Sequence, residues 1–434
     1  MDNVSPPPTI PRPTGLVLAP FRALRYDPAE VELASTLAPP YDVIDDAQRE
    51  VLADRSPHNV VRLTLPRAEG DDDDDDGDAY EGARRTLEQW RAQGVLVADR
   101  QPALYVYEER ADGHVQRGLV GALGLTPAED GIVLPHENTM AGPVADRLAL
   151  MSAVAADLEP IFLVYDGGGA ASRLVAEADR AEPDVAVTTP DGITHRLWAV
   201  TDAAVLDDVA ADLATRRAVI ADGHHRYATF LRYQTDRHAA GDGPGPWDLG
   251  LAFLVDGSAF GPQVHAIHRV LPGLPAEEAA RRADGAFTVT PVDGTVDAAL
   301  DALAKAGVDG PAFAVTDGAA SWLLTDPDPR QLAAALPAER SAAFRSLDVT
   351  VAHLFLIRRV WGLEDREDVV DYRHDVPAAI EAARASGGAA LLLNPTPVAD
   401  VAAVAAAGER MPRKSTLFVP KPATGLLIRA FADA

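Results

Sequence analysis

Asp222, Gly223, His224, His225 and Arg226 stand in succession after an apolar run at residues 218–221. The run reads as a buried strand, and Asp-Gly as a turn at its end. Residues 226–234 read as a helix, with Tyr227, Phe230, Leu231 and Gln234 near one face. A strand, a glycine turn and a helix start together make an anion site. The first N–H groups of a helix have no intrahelical acceptor, and the helix dipole favours negative charge there. Arg226 can bind a phosphate through two parallel hydrogen bonds. Asp222 can hold Mg²⁺ or accept a proton. The competing reading is a plain turn whose histidines cap the helix, so the chemistry depends on what else the chain brings.

Two further stretches matter. Pro135-His136-Glu137-Asn138-Thr139 puts a carboxylate on a loop before helical sequence at about residues 144–156. It is not a zinc-protease motif, because the second His would fall at position 140, which is Met140. A zinc deaminase needs Cys ligands, and the chain has none. Glu137 therefore reads as a general base or, more plainly, as a capping or salt-bridged Glu. Arg413-Lys414-Ser415-Thr416 sets two cations beside two hydroxyls, without the glycine frame of a P-loop. It reads as an anion clamp or as a solvated basic loop. Phosphoryl transfer needs such parts together: a base for the hydroxyl, a cationic cradle for phosphates and a carboxylate for Mg²⁺.

Composition narrows the classes. The chain has 434 residues, enough for two or three domains, and 47% are hydrophobic, enough for a large core. A net charge of −27 argues against nucleic acid or an anionic membrane as the main partner. The lack of Cys excludes disulfides, thiolate zinc sites and a Cys nucleophile. The first residues are Pro-rich and polar, without the apolar core of a signal peptide. No window approaches a membrane span. The expectation is a soluble, cytoplasmic protein.

The elements that must position these loops follow in order. Residues 1–15 read as a disordered leader. Residues 38–44, Ala-Pro-Pro-Tyr-Asp-Val-Ile, form a rigid extended segment, either a wall or a pocket-lining loop around Tyr41. Asp42 or Asp45 can cap a helix from residue 46 to 53. Residues 59–65 alternate like a strand. The six aspartates at 71–76 read as a solvated, self-repelling loop. A helix at 80–93 and a hairpin turning at Asp112-Gly113 come next. Buried strands follow at 160–165 and 249–255, and another strand at 264–271. Residues 389–396 read as a strand ending in Asn394-Pro395-Thr396, and 398–407 as a helix.

The blocks at 38–44, 59–62 (Asn-Val-Val-Arg), 135–139, 221–227 and 411–416 (Met-Pro-Arg-Lys-Ser-Thr) carry a resemblance. They look like those of a bacterial and archaeal family known as domain of unknown function 1015, over nearly the whole chain. Asp222 to Tyr227 is also similar to the phosphate-binding turn of the partition-protein/sulfiredoxin superfamily. Sulfiredoxin has Cys where this chain has His224, which excludes that activity. The free-serine kinases of the superfamily fit best, with an upstream Pro-His-Glu whose Glu is the base and a late Pro-Thr pair and Lys-Thr-Thr loop. Here the late loop departs from theirs, reading Pro-Arg-Lys-Ser-Thr, and residues 16–125 have no counterpart in them.

The resemblance implies an α/β fold of mixed sheets, with a sulfiredoxin-like nucleotide-binding core at 129–272. An N-terminal α/β domain at 16–128 and a C-terminal one at 273–434 would complete it. It implies an Mg²⁺-dependent phosphotransferase acting between ATP, ADP or pyrophosphate and a small hydroxyl metabolite, serine/phosphoserine first, in either direction. Glu137 and Asp222 would be catalytic, with Asp222 the metal ligand. Gly223, His224, His225, Arg226, Arg413, Lys414, Ser415 and Thr416 would bind phosphates. His136, Thr139, Asn394, Thr396 and Tyr41 would line the substrate. The alternatives are a nucleotide-binding switch with slow hydrolysis and a non-enzymatic metabolite-binding protein. No basic DNA-binding segment supports the switch.

Overall fold

A computed structural model describes residues 13–67, 76–364, 366 and 369–433. Most of the expected leader, and all but the last of the six aspartates, lie outside the described residues. The chain forms two compact units. The first contains residues 13–134, 139–261 and 420–433, and the second residues 135–138 and 262–419. The α/β class agrees with the sequence reading.

The first unit is built on a mixed sheet of nine strands. Across it run Val133–Leu134, Ala218–Asp222, Ile161–Tyr165, Leu249–Asp256, His114–Gly124, Leu104–Ala111, Thr194–Val200 and Val185–Thr188; Leu18–Ala19 also pairs with His114–Gly124. The expected boundary at residue 128 falls inside this sheet, because strands from both sides of it pair with each other. The central strands are continuous apolar runs because both faces are covered: every residue of Ile161–Tyr165 is buried. Helices Gly169–Glu177 and Ala203–Leu213 send Ala171, Val175, Val209 and Leu213 into the same core, while His224–Ala239 sends Tyr227, Phe230 and Tyr233.

The last segment returns to this unit. Arg429–Ala430 pairs with Ala156–Asp157. Arg429 is buried with its guanidinium 2.8 Å from Asp157 and donates to the carbonyls of Leu249 and Pro246.

The second unit has a six-stranded sheet in the order Thr288–Val292, Ser321–Thr325, Phe313–Thr316, Ala389–Leu393, His268–Leu271 and Asp371–Arg373, every pair antiparallel. The strand expected at 264–271 is two: Gln263–His265 pairs instead with Leu417–Val419.

Local chemistry explains the agreements and one failure. Asp45 caps helix Asp46–Arg55 through a reciprocal capping box with Gln48. The alternating stretch at 59–65 is not a strand but contains the short helix Val61–Thr64. Asn59 decides this. Its side chain accepts from the Val61 N–H and donates to the Ser35 and Leu37 carbonyls. Val60, Val61 and Leu63 are all buried, so tertiary packing overrides their strand propensity.

One buried polar network stands out in the first sheet. Gln116 donates to Glu109 at 2.6 Å and to the Pro420 carbonyl at 3.1 Å. The Tyr107 hydroxyl lies 2.9 Å from His195 Nδ1 and accepts from the Ala423 N–H at 3.2 Å. Burial pushes the Glu109 carboxyl up to about 8 and His195 down to about 4. Between pH 4.5 and 8 the folded chain therefore holds a proton that the unfolded chain has lost. The Glu109 contribution to stability should fall as pH rises through that window, by up to about 1.4 kcal/mol per pH unit, while His195 acts in the opposite direction between about pH 4 and 6.5. Chemical denaturation of wild type and Glu109→Gln across this range checks it: the difference between the curves should carry that slope, and parallel curves would contradict it.

Candidate functional site

Strand Ala218–Asp222 ends at the turn, with a bulge between Ile220 and Asp222 in its pairing with Ile161–Tyr165. Gly223 follows at φ +89°, and helix His224–Ala239 begins immediately, two residues earlier than expected. Any side chain at Gly223 would be strained at that φ, and a Cβ there would stand 3.1 Å from Arg226 Nε. Gly223 has no side chain to cap the helix, and a helix start of this kind suits an anion. The next intrahelical bond runs from the Tyr227 N–H to the Gly223 carbonyl.

Arg226 is buried, with one face of its guanidinium committed. It donates to the Pro160 carbonyl and to Asp222 Oδ2. Its Nε–H has no partner. An orphaned buried donor costs about 1–3 kcal/mol, and this one faces the space that a side chain at Gly223 would fill. A phosphate oxygen fits both observations.

Asp222 is held from both sides. Arg226 takes Oδ2, and Lys421 Nζ lies 2.6 Å from Oδ1. Burial pushes the Asp222 carboxyl up, but Arg226 and Lys421 outweigh it and keep it below the ordinary range. Asp42 adds a second carboxylate, 3.3 Å from Lys421 and 3.8 Å from Arg226. Glu159 accepts from the Tyr41 N–H and the Thr424 hydroxyl. The Tyr41 ring lies under Arg147, 4.3 Å from its guanidinium carbon to the ring centroid. Beside Tyr41 a groove of about 480 Å³ is lined by Arg49, Tyr80, Asp146 and Arg147, a size that small-molecule sites have.

The histidines divide. His225 Nε2 accepts from the Met140 N–H at 3.1 Å, so that nitrogen carries no proton. Burial lowers its pKa, which keeps the ring neutral. His224 is buried in the first helical turn.

The expectation that Asp222 holds Mg²⁺ does not fit this geometry. Both of its oxygens face cations, and a divalent ion would have to displace one of them. Among the described residues no group of three or more His, Asp or Glu is arranged around a metal position.

A second group of expected residues gathers in the second unit. His136 is buried, its carbonyl accepts from the Met411 N–H, and its Nε2 lies 3.0 Å from the Thr416 hydroxyl. Glu137 Oε1 is 3.8 Å from the same nitrogen, with its side chain 37% exposed. Thr396 contacts the Ser415 carbonyl at 3.4 Å. Lys414 adopts φ +54°, a left-handed conformation, and its carbonyl accepts from the buried Arg269, which also donates to His353.

Some expected residues point elsewhere. The Ser415 hydroxyl donates within its own loop to the Pro412 carbonyl, so it serves the loop and not a ligand. Asn394 donates to the Leu303 carbonyl. Thr139 belongs to the first unit and is exposed. Arg413 lies over the Tyr372 ring.

Sequence reasoning missed Lys421, Glu159 and Arg147, and gave Asp42 only a capping role. One signal was present for Lys421. The chain has three lysines, and this one sits between two prolines.

Replacing Asp222 should expose the cost of the buried triad. Asp222→Asn leaves Arg226 and Lys421 without their shared anion, and should destabilise the protein by about 3 kcal/mol or more. Urea denaturation reads this directly, and an unchanged midpoint would contradict the geometry.

No curated protein matches this chain. Among solved structures, a free serine kinase in complex with AMP is 14% identical, covering 68% of this chain and 88% of its own, with a TM-score of 0.33. A conserved hypothetical protein from Pyrococcus furiosus is 14% identical, with coverages of 66% and 87% and a TM-score of 0.31. A C-terminally truncated SbnI from Staphylococcus aureus is 11% identical, with coverages of 71% and 87% and a TM-score of 0.34. These likenesses are weak in overall geometry and assign no activity here. No helix among the described residues is long and apolar enough to cross a membrane. The model of the protein of unknown function family DUF1015 matches residues 18–350, and the chain belongs to that family.

Proposed function

We propose that this chain is a small-molecule phosphotransferase that binds a nucleotide or another phosphoanhydride at the Asp222–Arg226 turn. The observation that carries the reading is the unpartnered Nε–H of the buried Arg226, set against the side-chain-free Gly223 and the uncapped start of helix His224–Ala239. A phosphate would satisfy the orphan donor and accept from the helix amides, without any rearrangement of charge. The neutral His225 closes one side of the turn. The groove beside Tyr41 has room for the rest of the donor.

Transfer also needs an acceptor and a base. Glu137 supplies the base in this reading, with His136 and Thr416 holding its loop. Lys414 carries a cation for the acceptor or the transferred group. Serine or phosphoserine is the first acceptor to test, by kinship of motifs. No step is assigned to a protein-bound magnesium, because Asp222 as arranged is not a free ligand. Magnesium is expected only as the companion of the nucleotide phosphates.

Phosphorus NMR tests the reading. Purified protein would be given ATP, ADP or pyrophosphate with serine and a panel of hydroxyl metabolites, and O-phosphoserine with each acceptor. A phosphomonoester should appear or disappear, and Glu137→Gln should slow this by about 10²–10⁴-fold while nucleotide binding persists. Nucleotide binding without turnover, indifferent to the Glu137 change, would overturn the enzyme reading in favour of a binding protein.

A further inference from the structure

Lys421 lies outside the turn, on a short strap formed by Pro420, Lys421, Pro422 and Ala423 at the return of the chain to the first unit. The strap is stiff for local reasons. Proline fixes φ at both flanking residues, and Pro422 restricts Lys421 itself to extended backbone. It is also pinned from beneath at both ends. Gln116 donates to the Pro420 carbonyl, and the Ala423 N–H donates to Tyr107. Gln116 is braced by Glu109, and Tyr107 by His195, all four side chains buried. A buried polar network rigidifies what it holds, at a cost wherever a member is left unsatisfied. What it fixes here is the backbone on either side of one lysine.

That lysine completes the charge set at the turn. Its ammonium has three donors. It meets Asp222 at 2.6 Å and Asp42 at 3.3 Å, which leaves a further donor. The Arg226 side chain is 5% exposed and that of Lys421 18%, so Lys421 is the outer of the two cations on Asp222. Burial pulls its ammonium pKa down, but Asp222 and Asp42 outweigh that and keep it charged. The longer contact to Asp42 is the one that an incoming anion could take over while the shorter one to Asp222 holds.

We propose that Lys421 is the ligand of the terminal phosphate at this site, and that the pinned strap makes the site select phosphoanhydrides over monophosphates. This rests on the reading of the Asp222–Arg226 turn as the phosphate cradle. Arg226 and the helix amides would hold the first phosphate, common to all nucleotides. Lys421 would add attraction only for ligands that carry a second one.

Calorimetric titration of adenosine, AMP, ADP and pyrophosphate against wild type, Lys421→Met, Lys421→Arg, Tyr107→Phe and Arg226→Gln separates the claims. Lys421→Met should weaken ADP and pyrophosphate about 10- to 100-fold, the worth of a hydrogen bond to a charged group, and leave AMP nearly unchanged. Lys421→Arg should recover part of the loss. Tyr107→Phe, which frees one end of the strap without altering charge, should narrow the ADP-to-AMP ratio in the same sense. Equal weakening of ADP and AMP by Lys421→Met, or no weakening, would overturn the role of Lys421. The reading of the turn stands or falls separately: it fails if wild type binds no phosphate ligand, or if folded Arg226→Gln binds AMP as wild type does.

Discussion

The candidate site depends on one buried carboxylate shared by two cations. Asp222 sits at the end of a core strand, where an isolated charge would be costly. It remains ionised because Arg226, one helical turn later, and Lys421, two hundred residues later in the chain, approach its two oxygens from different sides. The i,i+4 spacing of Asp222 and Arg226 comes with the helix. The third partner requires the chain to come back, and the return is secured by the buried Arg429–Asp157 pair and by the strand Arg429–Ala430. Because Asp222 is shared by both cations, the triad ties the local geometry of the turn to the closing segment of the first unit.

The same arrangement shapes what the turn can bind. Because Asp222 is neutralised by its partners, it does not repel an incoming phosphate as a bare carboxylate would. Because Arg226 is held by the Pro160 carbonyl and by Asp222, its unpartnered Nε–H is positioned in advance. Preorganised donors of this kind lower the cost of ordering a ligand. Gly223 is the complement: its positive φ starts the helix abruptly and leaves the space over Arg226 Nε open.

Much of this was legible in the chain, and the reason is local. Asp222 to Arg226 are contiguous, so strand, turn and helix signals coincide on the residues of the candidate site. The hairpin at Asp112-Gly113 and the cap at Asp45 were readable for the same cause. Asn59 was misread because its decisive bonds reach Ser35 and Leu37, which periodicity cannot register. Ser415 looked like a ligand by composition, but its hydroxyl closes its own loop. Lys421, Asp42 and Glu159 join the site through tertiary pairing, which the prolines around Lys421 and the block around Asp42 do not by themselves reveal. The metal role given to Asp222 failed for that reason too: the cation that occupies its second oxygen comes from the far end of the chain.

The central claim is that the Gly223 turn is a phosphate cradle with Arg226 Nε as a preset donor. A crystal structure with ADP bound tests it most directly. The account predicts a phosphate oxygen within hydrogen-bonding distance of Arg226 Nε and of the His224 and His225 amides, with the Asp222–Arg226 pair intact. A nucleotide whose phosphates bind elsewhere, with Arg226 Nε still unpartnered, would contradict it.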